Sequence, residues 1–323
     1  MRHKFSRTVE TSDTGELRLL DIKKIRQIAT TFVMALCILR MEGAIHADIK
    51  PENCFLRARK ECSRGVGKKD IVSTAMTPSS ESILLPRGVN ALPDEFDLHL
   101  GDFGNSIHVS DVSKYYTDFD LQTLSYRAPE VLLGVPFDHQ IDMWSLGILL
   151  IEICIGKPLF LVRNRQELYS AMCTHLTAPP RIRFAGGMYS DLLSDSASSL
   201  SEKTEQRQTS SIKFQSMNST PSNFDFALHL SNVKRLLDKH VTDAPYDLTH
   251  LLAGLVHPDP DHRLTAQDAL RHPMVSKGLN TPLCLIGKKK VLSYALYFIV
   301  LCNELCFSSL LCELLLRMHG FKP

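Results

Sequence analysis

The sequence predicts a mainly α-helical domain carrying short β-hairpins. In residues 21–40 the apolar side chains Ile22, Ile25, Ile28, Ala29, Phe32, Val33, Leu36 and Leu39 recur at the spacing of one broad helix face. Residues 143–155 are apolar on almost every side, as a helix enclosed by a core must be, and are too short to span a bilayer. Two short runs, 54–56 and 99–101, read as paired strands.

Taken in order, residues 1–16 are polar and basic and read as a loose segment without signal-peptide character. Gly43 is placed to end the 21–40 helix, and Met34 and Cys37 on that helix read as core. A hairpin joining 54–56 to 99–101 needs only about 2–5 residues. Residues 57–97 intervene, basic at 57–70 and Ser/Thr-rich at 73–82, and their composition predicts a largely disordered insertion. Residues 165–175 form the next predicted helix. Residues 191–223, rich in Ser, Thr and Gln, read as a second disordered insertion. Amphipathic helices follow at 227–240 and 248–255. Thr265-Ala266-Gln267-Asp268 has capping-box spacing and opens a last helix that stops near His272-Pro273.

One domain over 17–275 is expected, followed by a tail, 276–323, of different character. Lys288-Lys289-Lys290 precedes an apolar segment, 291–316, interrupted by Asn303-Glu304. Glu304 and Glu313 argue against a clean membrane span, so a packed helix or an unrelated stretch is the reading there. Cys302, Cys306 and Cys312 lack accompanying histidines and are not read as a metal site. The nine cysteines form no C-x-x-C pair, which fits reduced thiols in cytoplasm or nucleus. A net charge of +2 gives no argument for nucleic acid, and 44% hydrophobic residues suffice for a core.

The chemistry concentrates in Ile45-His46-Ala47-Asp48-Ile49-Lys50-Pro51-Glu52-Asn53. A carboxylate, an amine and an amide stand within six residues, Asp48 to Asn53. Phosphoryl transfer needs such a trio: a base for the attacking hydroxyl, a cation beside the moving phosphoryl group, and an oxygen donor for magnesium. A polar turn after a helix is the plainer reading of the same residues. The spacing resembles the protein-kinase catalytic loop H-R-D-x-x-x-x-N, with Ala47 where arginine is usual. Asp102-Phe103-Gly104, Ala128-Pro129-Glu130, Asp142-Met143-Trp144-Ser145-Leu146-Gly147 and Arg263 follow in kinase order.

The chain thus resembles a protein-kinase C-terminal lobe. The resemblance implies Asp48 as base, Lys50 beside the transferred phosphoryl group, and Thr123 bonded to both. It implies Asn53 and Asp102 as ligands of Mg2+ on ATP, and proteins as substrates. His46, Phe103, Gly104, Glu130, Asp142 and Arg263 take structural roles: a buried Glu130–Arg263 pair, and Asp142 accepting bonds from the catalytic-loop backbone. Residues 105–120 resemble an activation loop, with Ser106, Ser110, Ser113, Tyr115, Tyr116 and Thr117 as phosphorylation candidates.

The runs 46–51, 126–134 and 141–147 are similar to the CMGC group, in particular the branch of dual-specificity tyrosine-regulated, homeodomain-interacting and splicing-related kinases. Three departures stand out. Asp120 occupies the position of that branch's autophosphorylated tyrosine. Leu124 replaces the group's arginine, which bears on proline-directed specificity. No G-x-G-x-x-G or V-A-I-K precedes His46, so the N-terminal β lobe is expected to be absent. The resulting expectation is a serine/threonine kinase present as a truncated chain; the alternative is a non-catalytic kinase-like binding module.

Overall fold

Helix α1, Ile22–Met41, starts where Asp21 accepts the Lys24 amide N–H at 3.1 Å and so caps it. Its apolar stripe from Ile25 to Leu39 is buried. Gly43 lies just past the C-cap with φ +65°, a left-handed conformation that glycine adopts without strain. The computed structural model describes residues 18–58, 83–88, 91–94, 96–193 and 225–278. The expected loose segment 1–16, most of both insertions and the apolar stretch 291–316 lie outside the described residues.

Seven short strands form three small sheets among the described residues. β1, Arg18–Leu19, runs parallel to β7, Val241–Thr242. β2, Ala44–Ile45, pairs antiparallel with β6, Ile107–His108. β3, Cys54–Ala58, lies between β4, Ile83–Leu84, and β5, Phe96–Leu100, with Cys54 opposite Leu100 and Ala58 opposite Phe96. The predicted hairpin is present, but its second strand starts earlier and stops before Gly101. Instead, Gly101 N–H donates to the Asn53 carbonyl at 2.9 Å, which ties the hairpin's open end together.

Part of the stretch expected to be disordered is built into the core, and that expectation is corrected for residues 83–88, 91–94 and 96–97. Leu85, Leu92 and Phe96 are buried. Lys24 Nζ and Gln27 Nε2 on α1 donate to the carbonyls of Leu92 and Phe96, at 2.9 and 2.7 Å. Composition averaged over 57–97 hid these few apolar anchors, each of which gains from burial against a preformed face.

Downstream come α2, Pro129–Leu133; α3, Gln140–Ile155; α4, Arg165–His175; α5, Arg181–Phe184; and α6, Phe226–Asp238. They are followed by α7, Tyr246–Leu255; α8, Ala266–Arg271; and α9, Pro273–Ser276. Every residue of α3 is buried, so it is the axle around which α1, α6 and α7 pack. The Thr265 hydroxyl accepts the Asp268 N–H at 3.1 Å, the predicted cap of α8. No described helix is long and apolar enough to cross a membrane.

Candidate active site

Asp142, in the first turn of α3, builds the site from below. Its buried carboxylate accepts the N–H groups of His46 at 2.7 Å and Ala47 at 2.9 Å. Burial pushes this carboxyl up to about 7, opposed by those two bonds. Ala47 is held at φ +62°, a left-handed conformation costing about 1–2 kcal/mol for a residue with a Cβ. The two bonds to Asp142 secure that turn, which carries the chain from β2 towards Asp48.

His46 joins the loop to the next motif. Its Nδ1 accepts the Asp48 N–H at 3.3 Å, so Nε2 carries the proton and donates to Gly101 O at 3.1 Å. Burial lowers the imidazole to about 4, so it is neutral at physiological pH. The edge of its ring meets Phe103 at 4.9 Å between centroids. Asp102 follows Gly101 in a left-handed conformation, φ +59°, and accepts Gly104 N–H at 3.3 Å.

The predicted catalytic residues come together. Lys50 Nζ lies 2.8 Å from Asp48 Oδ2 and 2.9 Å from Thr123 Oγ1. Thr123 Oγ1 in turn donates to Asp48 Oδ1 at 2.6 Å. Asn53 Nδ2 donates to the Asp48 carbonyl at 2.8 Å and to Oδ2 at 3.1 Å. Asn105, which sequence reasoning passed over, donates to the same Oδ2 at 3.3 Å. Burial raises the Asp48 carboxyl, but bonds from Lys50 and Thr123 and the Lys50 charge outweigh it, so it sits below the usual range. The ion Asp48 presents is therefore oriented from both oxygens, and the bond to Oδ1 comes from Thr123, far along the chain.

The segment around Thr123 is itself held in several places. Arg263 meets Glu130 through two bonds, 2.6 and 2.9 Å, with both side chains fully buried, as the resemblance implied. Arg127 donates to Asp120 Oδ1 at 3.2 Å and to Gln122 O at 3.0 Å. Gln122, at φ +60°, bonds Ser145 Oγ at 2.8 Å and Ala128 N–H at 3.0 Å. Arg165 on α4 donates to the carbonyls of Phe119, Val131 and Leu132. Tyr126 donates to the buried Glu152 at 2.6 Å. None of Gln122, Arg165 or Glu152 carries a local sequence signal; only their positions in space reveal them.

Comparison with known proteins gives the family of the chain that holds this arrangement. The protein kinase domain model matches residues 6–275, and the chain belongs to that family. The match opens at residue 6, so it does not bear out the expectation that the chain is the C-terminal lobe only with the N-terminal lobe absent. The chain is 26% identical to the dual specificity protein kinase YAK1 of Saccharomyces cerevisiae over 80% of its own length and 30% of that protein. It is 31% identical to the serine/threonine-protein kinase AFC3 of Arabidopsis thaliana, over 71% of this chain and 50% of the relative. It is 32% identical to dual specificity tyrosine-phosphorylation-regulated kinase 2 of Drosophila melanogaster, over 49% of this chain and 17% of that protein. The chain thus spans about half or less of these relatives.

Proposed function

We propose that the chain carries the catalytic part of a serine/threonine protein kinase that transfers the ATP γ-phosphate to hydroxyls of proteins. The Asp48–Lys50–Thr123 triangle carries this reading. Asp48, kept ionised, orients a substrate hydroxyl and takes its proton. Lys50, whose side chain is 22% exposed, holds its ammonium 2.8 Å from the Asp48 carboxylate, where charge on the moving phosphoryl group would be met. Thr123 locks both groups, and such positioning is most of what this reaction asks of a protein.

The residues present also fit magnesium. Asn53 and Asp102 are hard oxygen donors, and the bond from Gly101 N–H to the Asn53 carbonyl joins the two segments that carry them. Two protein ligands suffice for a cation that completes its shell with phosphates and water; when bound it neutralises charge between the phosphates. The relatives' names suggest dual specificity as a further property. With Leu124 in place of arginine, strict proline-directed specificity is not part of the proposal.

The 323 residues hold no G-x-G-x-x-G and no V-A-I-K, the motifs with which kinases cover and grip the ATP phosphates. That same feature favours the second reading, a kinase-like binding module. One assay separates them: ATP binding and phosphate transfer to a general protein substrate, for the 323-residue chain and for its Asp48→Asn variant. Transfer that Asp48→Asn abolishes is expected. No transfer by any form leaves the binding module.

A further inference from the structure

The stretch 83–88 returns from the insertion to place Arg87 between two carboxylates. Arg87 Nε lies 3.3 Å from Glu152 Oε2 and Nη2 lies 3.2 Å from Glu52 Oε1. Glu52 follows Lys50-Pro51 in the catalytic-loop turn. Glu152 is on α3, fully buried, and also accepts the Tyr126 hydroxyl and, at 2.9 Å, the Leu159 N–H. Tyr126 belongs to the turn that directly follows Thr123, itself 2.6 Å from Asp48. The two acids are therefore joined to the surroundings of Asp48, Glu52 through the catalytic-loop turn and Glu152 through Tyr126 and the turn after Thr123. Arg87 and Glu52 are partly open to solvent, with side chains 33% and 41% exposed.

An acidic pair at such a place, one member buried, is a receptor for a guanidinium or ammonium group. A buried carboxylate without a counter-charge is costly, so something cationic must answer it. Here the counter-charge comes from the chain itself, and in the bidentate-capable form that arginine offers. Resting on the kinase reading above, we propose that Arg87 is a specificity-determining residue: it fills an acidic subsite beside the catalytic loop and so excludes basic side chains of substrate peptides from it. The insertion then has a role in choosing substrates, through a residue held by both the catalytic loop and the axle helix.

The test is direct binding, which needs no phosphoryl transfer. Fluorescence anisotropy would be measured with a labelled serine peptide lacking basic residues, and with a set in which one arginine is moved through each flanking position. The wild-type chain is expected to bind no arginine peptide more than twofold tighter than the parent. Arg87→Met, or Arg87→Gln if the first is poorly folded by thermal melting, is expected to gain at least tenfold for arginine at one position. Adding Glu52→Gln should remove most of that gain, and Arg87→Lys should behave as wild type. A wild-type preference for arginine, no gain in the variants, or loss of the fold in both of them overturns the proposal, the last because Arg87 would then be a stabilising ion pair and nothing more. Failure of phosphate transfer with the arginine gain intact would count against the kinase reading alone.

Discussion

Replacing Arg263 with methionine isolates the tie between the activation segment and the helical base. The guanidinium makes two bonds to Glu130, at 2.6 and 2.9 Å, and two more to the carbonyls of Gln140 and His257, at 2.7 and 2.9 Å. Both charged side chains are wholly buried, so methionine leaves a carboxylate in a dry interior with no counter-charge. Breaking one side of such a pair costs about 3–5 kcal/mol. At roughly 2–4 °C per kcal/mol for a domain of this size, the melting temperature should fall by about 10 °C. Thermal and urea denaturation of the purified 1–323 chain measure it. Glu130→Gln alone strands the cation instead and should cost a similar amount. The double variant Glu130→Gln/Arg263→Met should recover part of the loss, because the penalty belongs to the unpaired charge rather than to the missing attraction. A loss below about 1 kcal/mol for Arg263→Met, a typical surface-pair value, would refute the reasoning.

Three further outcomes follow from the geometry. Burial holds His46, His229 and His257 at about 4, so each contributes stability that is complete above pH 6.5 and is lost as pH falls from 6.5 towards 4. Burial raises Asp142 to about 7, which opposes this with one proton over the same range, leaving net uptake of about two protons on unfolding. Unfolding free energy should then fall by at most about 3 kcal/mol per pH unit, and a flat urea-denaturation profile between pH 6.5 and 4.5 would sink the account. Asp142→Asn keeps the shape but offers one acceptor oxygen to the two N–H groups of His46 and Ala47; hydrogen exchange at both should quicken more than tenfold, about 1.4 kcal/mol of protection, and unchanged protection would contradict the anchoring role. Finally, Asp120 already gives Arg127 a negative partner, and Ala47 takes away the catalytic-loop arginine, so phosphatase treatment of a catalytically complete form should change its rate by less than tenfold, about 1.4 kcal/mol of barrier; a larger loss refutes this.

The helices and the chemistry were legible in the chain because both are written at short range. The stripe from Ile22 to Leu39, the all-apolar run that became α3, the cap at Thr265 and the trio Asp48, Lys50 and Asn53 are patterns within one or two helical turns. The wider order of motifs singled out Thr123, Asp142, Glu130 and Arg263 by resemblance, and folding brings Thr123 to Asp48, Asp142 to the Ala47 N–H and Arg263 to Glu130. Composition also misled: the average over 57–97 reads as a solvated loop, whereas a handful of residues in it dock on α1 and on Glu52 of the catalytic-loop turn.

What only the tertiary structure decided is how the segment near Thr123 is held. Arg165, Gln122, Ser145 and the Tyr126–Glu152–Arg87 chain join residues tens of positions apart, through single hydrogen bonds with no periodicity. A lone arginine or glutamine in sequence looks like any solvated polar residue. Its meaning arises when folding buries its partner, because a charge or carbonyl removed from water must find its counterpart wherever the packed chain provides one.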